Sequence, residues 1–188
     1  MRIRKLNTAN TALLVIDIQE KLLKIMNDEI TQQVLRNTNQ LIRMFRHWNS
    51  PILVTEQYVR GLGHTSDALL PHLGDIQALE KVTFSCCSNA PFNEQLEGLE
   101  RPNIIVTGME THICVLQTTL DLLQRNYSVY VMADAVQSST KLRWEHGLKL
   151  MEQAGAVVMP TETLLFQLLG QAGTSDFKHF LNMLKETN

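Results

Sequence analysis

The chain has 188 residues, of which 44% are hydrophobic and 19% charged, and these proportions are typical of one folded domain rather than of a disordered chain. Seventeen basic and 19 acidic residues leave a formal net charge of −2, which does not predict the broad basic surface of a nucleic-acid-binding protein. The apolar runs are far shorter than the roughly 20 residues that span a bilayer. We therefore expect a single domain over residues 1–188 that binds neither nucleic acid nor membrane.

The expected location and redox state follow from the start of the chain and from its cysteines. The first residues are basic, but the apolar run after them is short and ends at Asp17, so no secretory signal is predicted and we expect a cytoplasmic protein. The three cysteines are Cys86, Cys87 and Cys114. An odd number cannot pair completely, and neighbours in sequence rarely bridge each other, so we expect free thiols.

Short apolar runs alternate with longer segments of helical period along the chain. This alternation is typical of βαβ units, which build a parallel sheet with helices on both faces. Six strands are predicted, within 12–17, 51–55, 79–84, 103–107, 129–133 and 156–159. Helices are predicted between the first two strands, at 114–125 and 141–154, and in two C-terminal segments after residue 160. The predicted fold is α/β, a Rossmann-like three-layer αβα sandwich with a mostly parallel sheet of about six strands.

Three polar residues stand near the predicted strand ends, where open α/β sheets bind their ligands. Asp17 ends the first strand, Lys81 lies in the third, and Cys114 follows the fourth near the start of a helix. Each residue has an ordinary alternative role. Asp17 is also suited to cap the next helix, Lys81 to reach solvent from an edge strand, and Cys114 to pack in the core.

Together these three side chains form a set suited to nucleophilic catalysis. A thiol attacks as its thiolate, and a helix N-terminus or a nearby ammonium lowers the thiol pKa. A neighbouring carboxylate can accept the thiol proton and pass it to a leaving amine. The set therefore predicts a nucleophilic Cys114 with a depressed pKa that depends on Lys81.

Four segments of the chain resemble the isochorismatase-like cysteine hydrolases, which include nicotinamidases and N-carbamoylsarcosine amidohydrolases. The segments are ALLVIDIQ at 12–19, EKVTFS at 80–85, GMETHICVLQ at 108–117 and AGAVVMPTETLLFQL at 154–168. The resemblance runs from about Leu6 to Leu169 and keeps the Asp, Lys and Cys motifs in the order of that family. It implies a hydrolase of a small-molecule substrate that assembles as a homo-oligomer, a dimer or larger.

The resemblance also implies a role for each residue of the set. Asp17 would be the general acid and base, Lys81 the cation that stabilises the thiolate and the intermediate, and Cys114 the nucleophile. The backbone N–H groups of Glu110 and Cys114 would form an oxyanion hole. Proteins of this family carry a cis peptide bond before the residue that matches Glu110, so we expect a cis bond between Met109 and Glu110.

Four further residues are candidates for contact with substrate. Under the resemblance Gln19 lies beside the site, although a surface position in the first turn of a helix is an equal alternative. Tyr58 and Arg60 belong to a loop with glycines that can fold over the site, where Arg60 would suit a carboxylate or remain solvated. Phe84 is suited to line a pocket, with a core position as its alternative.

Departures from the patterns of this family narrow the expected activity. Isochorismatases that cleave vinyl ethers do not use the cysteine, so Cys114 favours hydrolysis of an amide or a related C–N bond through a thioester. The nicotinamidase branch carries an Asp-x-His-x-His metal motif, whereas the matching stretch 55–65 (TEQYVRGLGHT) holds the single histidine His64. One imidazole does not make a metal site. We expect no metal and no other cofactor, and a surface position for His64.

The sequence thus predicts a cysteine-dependent amidase, with two alternatives left open. One is vinyl ether hydrolysis, in which Cys114 would be dispensable. The other is a non-enzymatic or redox-sensing protein in which Cys114 forms a sulfenic acid or a mixed disulfide, which requires Cys86 or Cys87 within disulfide reach of Cys114. His112, beside the nucleophile in sequence, is either a second base or a residue of the turn that points outward.

Overall fold

Six parallel strands form the centre of the fold in the computed structural model, which describes residues 5–186. The strands are β1 (Thr11–Ile16), β2 (Ile52–Gln57), β3 (Leu79–Lys81), β4 (Asn103–Met109), β5 (Ser128–Gln137) and β6 (Val157–Met159). Their order across the sheet is β3-β2-β1-β4-β5-β6, and every pair of neighbours is parallel. This is the strand order of a Rossmann-like sheet. The predicted fold class is confirmed.

Helices cover both faces of the sheet and complete the three layers. One face packs against α2 (Asp28–His47), α4 (Leu70–Leu73), α8 (Thr161–Leu169) and α9 (Ser175–Glu186), and the other against α5 (Ala90–Gly98), α6 (Leu116–Gln124) and α7 (Lys141–Ala154). Two single-turn helices, α1 (Glu20–Leu23) and α3 (Val59–Leu62), follow β1 and β2. Because both faces are covered, every residue of the central strands β1 and β4 is buried.

The long helix α2 forms where the sequence gives both a start signal and an apolar face. The side chain of Asn27 accepts a hydrogen bond from the N–H of Ile30 at 3.1 Å, which caps the first turn. Val34, Leu41 and Phe45 lie on one side of the helix and are buried against the sheet. The apolar spacing of the sequence therefore predicts this helix correctly.

Several elements differ from the sequence predictions, among them β3 and α5. The third strand ends at Lys81 rather than at Phe84, because the chain turns there and its carbonyl groups face the lysine ammonium. The helix α5 was not predicted from the sequence. Its nine residues contain one proline, one glycine and few apolar residues. Asn89 caps it by accepting a hydrogen bond from the N–H of Phe92 at 3.0 Å.

The strand order reverses between β1 and β4, and the carboxyl ends of the strands at such a point are where open α/β sheets bind their ligands. In the register of the sheet, Ile16 at the end of β1 is opposite both Thr55 on β2 and Gly108 on β4. On the outer side, Gln57 is opposite Lys81. The registers therefore bring the ends of four strands to one edge of the sheet.

Two predictions about the whole chain, its single domain and its cytoplasmic location, are not tested by the described residues. The predicted single domain includes residues 1–4 and 187–188, which lie outside the described part, and it stays a prediction. Within residues 5–186, no helix is long and apolar enough to cross a membrane. The cytoplasmic location also stays a prediction.

A close approach between β1 and β4 depends on a residue without a side chain. Gly108 has φ +125°, and a Cβ there would lie 2.0 Å from the carbonyl oxygen of Ile16. We expect Gly108→Ala to lower the free energy of unfolding by about 3 kcal/mol or more, or to prevent folding.

Gly98→Ala is the matched control, because a Cβ at the end of α5 would meet nothing within 4 Å. Its free energy of unfolding should stay within about 0.5 kcal/mol of the unmodified protein. Urea unfolding followed by circular dichroism measures both variants. Equal stability of the two would contradict the close approach of β1 and β4.

Candidate active site

Asp17 lies where the chain leaves the sheet after β1. Its backbone has φ +52°, and its side chain is 1% exposed. Thr55 donates a hydrogen bond from Oγ1 to Oδ1 at 2.7 Å, and Lys81 donates from Nζ to Oδ2 at 2.7 Å. Gln19, not Asp17, precedes the helix α1, so the helix-cap alternative for Asp17 is wrong.

Lys81 ends the edge strand β3, but its side chain points into the protein and is 1% exposed. Nζ donates to Asp17 Oδ2 and to Gln57 Oε1, both at 2.7 Å, and the carbonyl oxygens of Thr83 and Phe84 lie at 3.3 and 3.2 Å. The alternative of an ammonium that reaches solvent is wrong. Burial, the largest single cause, lowers the pKa of Lys81, but the charges of Asp17, Cys86 and Cys114 and the hydrogen bond to Asp17 together hold this pKa above its ordinary value. Lys81 is therefore an ammonium at neutral pH.

Cys114 lies in the π-helical turn Thr111–Val115, which joins β4 to α6. The Asp17 carboxylate and the Lys81 ammonium both act on the pKa of its thiol. The residue is 6% exposed. The structure thus brings the three predicted residues together at the carboxyl edge of the sheet.

The environment of Cys114 raises its pKa, so the prediction of a depressed pKa is wrong for the resting site. Burial is the largest cause, and the carboxylate of Asp17 adds to it. The ammonium of Lys81 lowers the pKa but does not outweigh the other two causes. The sequence prediction counted the helix start and the ammonium but not the burial. Cys114 therefore rests as a thiol.

The turn before Cys114 is the segment in which an oxyanion hole is predicted. The peptide bond Met109–Glu110 is cis, which confirms that prediction. The Glu110 carboxylate accepts a hydrogen bond from the N–H of Ser139 at 2.9 Å. On the other side, α7 approaches the turn at Gly147, where a Cβ would lie 2.9 Å from the carbonyl oxygen of Thr111. These contacts hold the backbone of the turn from two directions.

His112 links the same turn to the segment that joins β5 to α7. Its Nδ1 lies 3.0 Å from Ser138 Oγ and 4.0 Å from Glu110 Oε2. The imidazole thus faces Ser138 and Glu110, while the Asp17 carboxylate faces Lys81, Thr55 and the Cys114 thiol. These contacts favour a turn residue over a second base.

Gln19 is fully buried, and both ends of its amide bind the backbone. Oε1 accepts from the N–H of Gln57 at 2.7 Å, and Nε2 donates to the carbonyl oxygens of Gln57, at 3.0 Å, and of Gly63. The chain turns away from β2 at Asp17, so no further β1 backbone can pair with the end of β2. The Gln19 amide instead makes these hydrogen bonds to the backbone of Gln57. The surface alternative is wrong, and contact of Gln19 with a substrate stays a prediction.

The other predicted contact residues lie nearer the surface. Tyr58 is 50% exposed, its N–H donates to the carbonyl oxygen of Lys81 at 2.8 Å, and its ring lies against Gly61, where a Cβ would come within 2.4 Å. Arg60 is exposed in α3. Phe84 is 54% exposed, so its core alternative is wrong. Contact of Tyr58, Arg60 and Phe84 with a substrate stays a prediction.

Comparison with known proteins identifies the family. The isochorismatase domain family matches residues 11–163. Isochorismatase family protein 1A of Dictyostelium discoideum is 36% identical over 185 residues, which cover 94% of this chain and 87% of that protein. This chain belongs to the isochorismatase family. The family indicated by the sequence motifs is therefore confirmed.

Two solved structures share the fold of this isochorismatase-family chain. A protein described as MAR1 ribonuclease from Caenorhabditis elegans is 35% identical, with a TM-score of 0.89 over 97% of this chain and 93% of that one. The YcaC gene product of Escherichia coli, described as an octameric hydrolase of unknown specificity, is 20% identical. Its TM-score is 0.87 over 100% of this chain and 90% of that one.

Two residues that contact the set in this isochorismatase-family protein were not predicted from the sequence. Thr55 binds Asp17 and Gln57 binds Lys81, both from the carboxyl end of β2. The available signal was the polar run TEQ at residues 55–57, which begins at the end of the second predicted strand. This strand lies beside the first strand in the fold. That signal alone does not say which of the three side chains faces the site.

The loop after β2 is anchored by a buried glutamate. Thr65 donates from its N–H and from Oγ1 to Glu56 Oε1 at 2.6 and 2.7 Å, and Nδ1 of His64 lies 3.1 Å from Glu56 Oε2. The His64 side chain is 78% exposed, which confirms its predicted surface position. Among the residues that the structure describes, no group of three or more His, Cys, Asp or Glu side chains is arranged to hold a metal ion.

The remaining two cysteines lie behind the site. Cys86, Cys87 and Cys114 are all free, as predicted, and all three are buried. Cys86 Sγ lies 3.7 Å from Thr55 Oγ1. Burial raises the pKa of Cys86 to about 12 and that of Cys87 to about 11.

The effect of Lys81 on the Cys114 thiol is directly measurable. Because the ammonium opposes the other causes that raise the pKa of Cys114, Lys81→Met should raise this pKa further. We expect iodoacetamide to alkylate Cys114 at least about tenfold more slowly, since each pKa unit changes the thiolate fraction tenfold. Mass spectrometry of the Cys114 peptide gives the rate.

Lys149→Met, on an exposed position of α7, is the control and should leave the rate unchanged. In the unmodified protein the rate should still rise with pH up to about pH 9, because the thiol pKa lies above its ordinary value of about 8.5. A plateau near neutral pH would contradict the resting thiol. An unchanged rate in Lys81→Met would remove the lysine from the account of this site.

Proposed function

We propose that this protein is a cysteine-dependent hydrolase that cleaves an amide or a related C–N bond of a small molecule through a thioester at Cys114. The observation that carries the proposal is the contact of the Cys114 thiol with Asp17, whose carboxylate is itself paired with Lys81. Nucleophile, proton acceptor and cation are the parts that such a reaction needs. Asp17, Lys81 and Cys114 are the catalytic residues of this proposal.

In the first step the sulfur attacks the carbonyl carbon while Asp17 takes the thiol proton. Burial raises the pKa of Asp17 above its ordinary value, although Lys81 and Thr55 oppose the shift. Its carboxylate therefore binds a proton more tightly than a free aspartate does. The negative charge that leaves Asp17 appears on the carbonyl oxygen, so the net charge of the site is unchanged and Lys81 balances it throughout.

The second step releases the amine, and the third releases the acid. The backbone N–H groups of Glu110 and Cys114 donate to the oxyanion, which collapses and breaks the C–N bond as the Asp17 carboxyl returns its proton to the leaving nitrogen. A water molecule then attacks the thioester while Asp17 accepts its proton. The C–S bond breaks, and that proton passes back to the sulfur.

Both alternatives have less support than the amide reaction. Vinyl ether hydrolysis gives the sulfur no role, yet the Asp17 carboxylate acts on the Cys114 thiol in this site. Redox-sensing cysteines are accessible and have low pKa values. In contrast, burial raises the pKa of Cys114, of Cys86 and of Cys87.

We also propose that the protein assembles as a homo-oligomer. The Escherichia coli relative is described as octameric. Val82, Ile25 and Leu142 are large apolar side chains that are 74%, 65% and 64% exposed in this chain, and such side chains are common at contacts between subunits. Sedimentation velocity should give a mass of two chains or more.

Replacement of the sulfur tests the reaction. Cys114→Ala should abolish hydrolysis of any substrate found in a screen of small amides, ureas and carbamoyl compounds with ammonia detection. Because the Caenorhabditis elegans relative is described as a ribonuclease, an RNA oligonucleotide belongs in the same screen. A slow substrate should leave an acyl mass on Cys114 of the unmodified protein.

Cys87→Ser is the control variant, since Cys87 is buried beside Arg125 and Asp121 rather than beside Lys81. It should keep most of the activity. Full activity of Cys114→Ala on a C–N substrate would end the thioester account. Cleavage of a vinyl ether that does not need Cys114 would favour the first alternative.

The proposed reaction needs no metal ion. Glu56 and His64 contact each other and Thr65 in the loop where the nicotinamidase motif carries metal ligands. Exhaustive dialysis against a chelator should leave the hydrolysis rate unchanged. A loss of activity that zinc, iron or manganese restores would refute this prediction.

A further inference from the structure

We propose that Gln57 is a positioning residue whose amide oxygen holds the Lys81 ammonium against Asp17 and Cys114. The inference rests on the proposed function in one respect, that Cys114 is the nucleophile. It concerns the state of the thiol rather than turnover, so the two proposals fail in different experiments.

The first observation is the orientation of the Gln57 amide. Its Oε1 accepts from Lys81 Nζ at 2.7 Å, as short as the bond from Nζ to Asp17, and its Nε2 donates to the carbonyl oxygen of Val82 at 3.0 Å. An ammonium has no acceptor, so only the oxygen end of the amide can face it. The contact with Val82 therefore fixes the orientation that Lys81 requires.

The second observation is that the backbone of Gln57 is held as firmly as its side chain. The Gln19 amide binds both the N–H and the carbonyl oxygen of Gln57. Gln57 is also opposite Lys81 in the register of β2 and β3. Gln57 is 9% exposed and Gln19 is fully buried. The oxygen that faces Lys81 is thus fixed by contacts with Gln19, which follows β1, and with Val82, which follows β3.

The third observation concerns charge. The titratable groups that act on Lys81 are Asp17 at the end of β1, Cys86 in the turn Cys86–Ser88 and Cys114 in the turn after β4. A glutamine gives the ammonium a second strong acceptor without adding a second negative charge. The single negative charge of Asp17 therefore stays balanced by Lys81 alone.

The hydrogen bonds of Lys81 also limit what it can do. Its three N–H groups face Asp17, Gln57 and the carbonyl oxygens of Thr83 and Phe84. None of these acceptors belongs to a substrate, so Lys81 acts on the sulfur through its charge, and its effect depends on where Nζ lies. Loss of the Gln57 oxygen would leave a buried N–H without its acceptor, and the ammonium would then shift or lose its proton.

The test replaces the amide by an apolar side chain of similar length. In Gln57→Met we expect iodoacetamide to alkylate Cys114 about tenfold more slowly between neutral pH and about pH 9, because the cation that favours the thiolate is no longer held in place. Gln124→Met, on an exposed position of α6, is the matched control and should not change the rate. Thermal unfolding checks that each variant is folded.

A double variant separates positioning from a general structural effect. If Gln57 acts through Lys81, adding Gln57→Met to Lys81→Met should not slow alkylation any further. Additive effects, or an unchanged rate in Gln57→Met alone, would overturn the proposal. If Gln57→Met does not fold, Gln57→Asn keeps the amide but withdraws the oxygen from Nζ, and it should also slow alkylation. Again, an unchanged rate would overturn the proposal.

Discussion

A carboxylate and an ammonium, 2.7 Å apart and each 1% exposed, are the pair on which the rest of this site depends. Neither charge is tolerable at that depth alone, and removal of one partner from a buried pair typically costs about 3–5 kcal/mol. Burial of such a pair also requires that the remaining protons and lone pairs are satisfied. Thr55 supplies a donor to Asp17, and Gln57 supplies an acceptor to Lys81. The polar end of β2 is therefore explained by the pair beside it.

The backbone around the pair is shaped to deliver these side chains. Asp17 adopts φ +52° directly after β1, which turns the chain out of the ladder while its carboxylate remains beside β2. The gap in the ladder is filled by the Gln19 amide. On the other side of β1, Gly108 removes the Cβ that would otherwise meet Ile16. The ends of β1 and β4 can then approach closely enough for the Cys114 turn to reach Asp17.

The sequence predicts the fold and the three central residues because both depend on short-range patterns. Alternating apolar runs give the strands, and Asp17, Lys81 and Cys114 stand at or near strand ends in the order that the family motifs require. Gln57 has no comparable signature, since a glutamine after an apolar run is equally common on a surface. The direction of the Cys114 pKa depends on burial and on the contact with Asp17. Both are properties of the packed structure, so the sequence prediction had the wrong sign.

A raised thiol pKa is compatible with a nucleophilic Cys114 when the proton acceptor is in contact with it. The free energy of proton transfer depends on the difference between the pKa values of donor and acceptor rather than on the pKa of the thiol alone. Burial is the largest cause of the upward shift in both Cys114 and Asp17, so its effects partly cancel in that difference. Lys81 lowers the pKa values of both Asp17 and Cys114 as well. The position of its ammonium determines how much it lowers each of the two pKa values. The proton can therefore move as the C–S bond forms, without a free thiolate in the resting site.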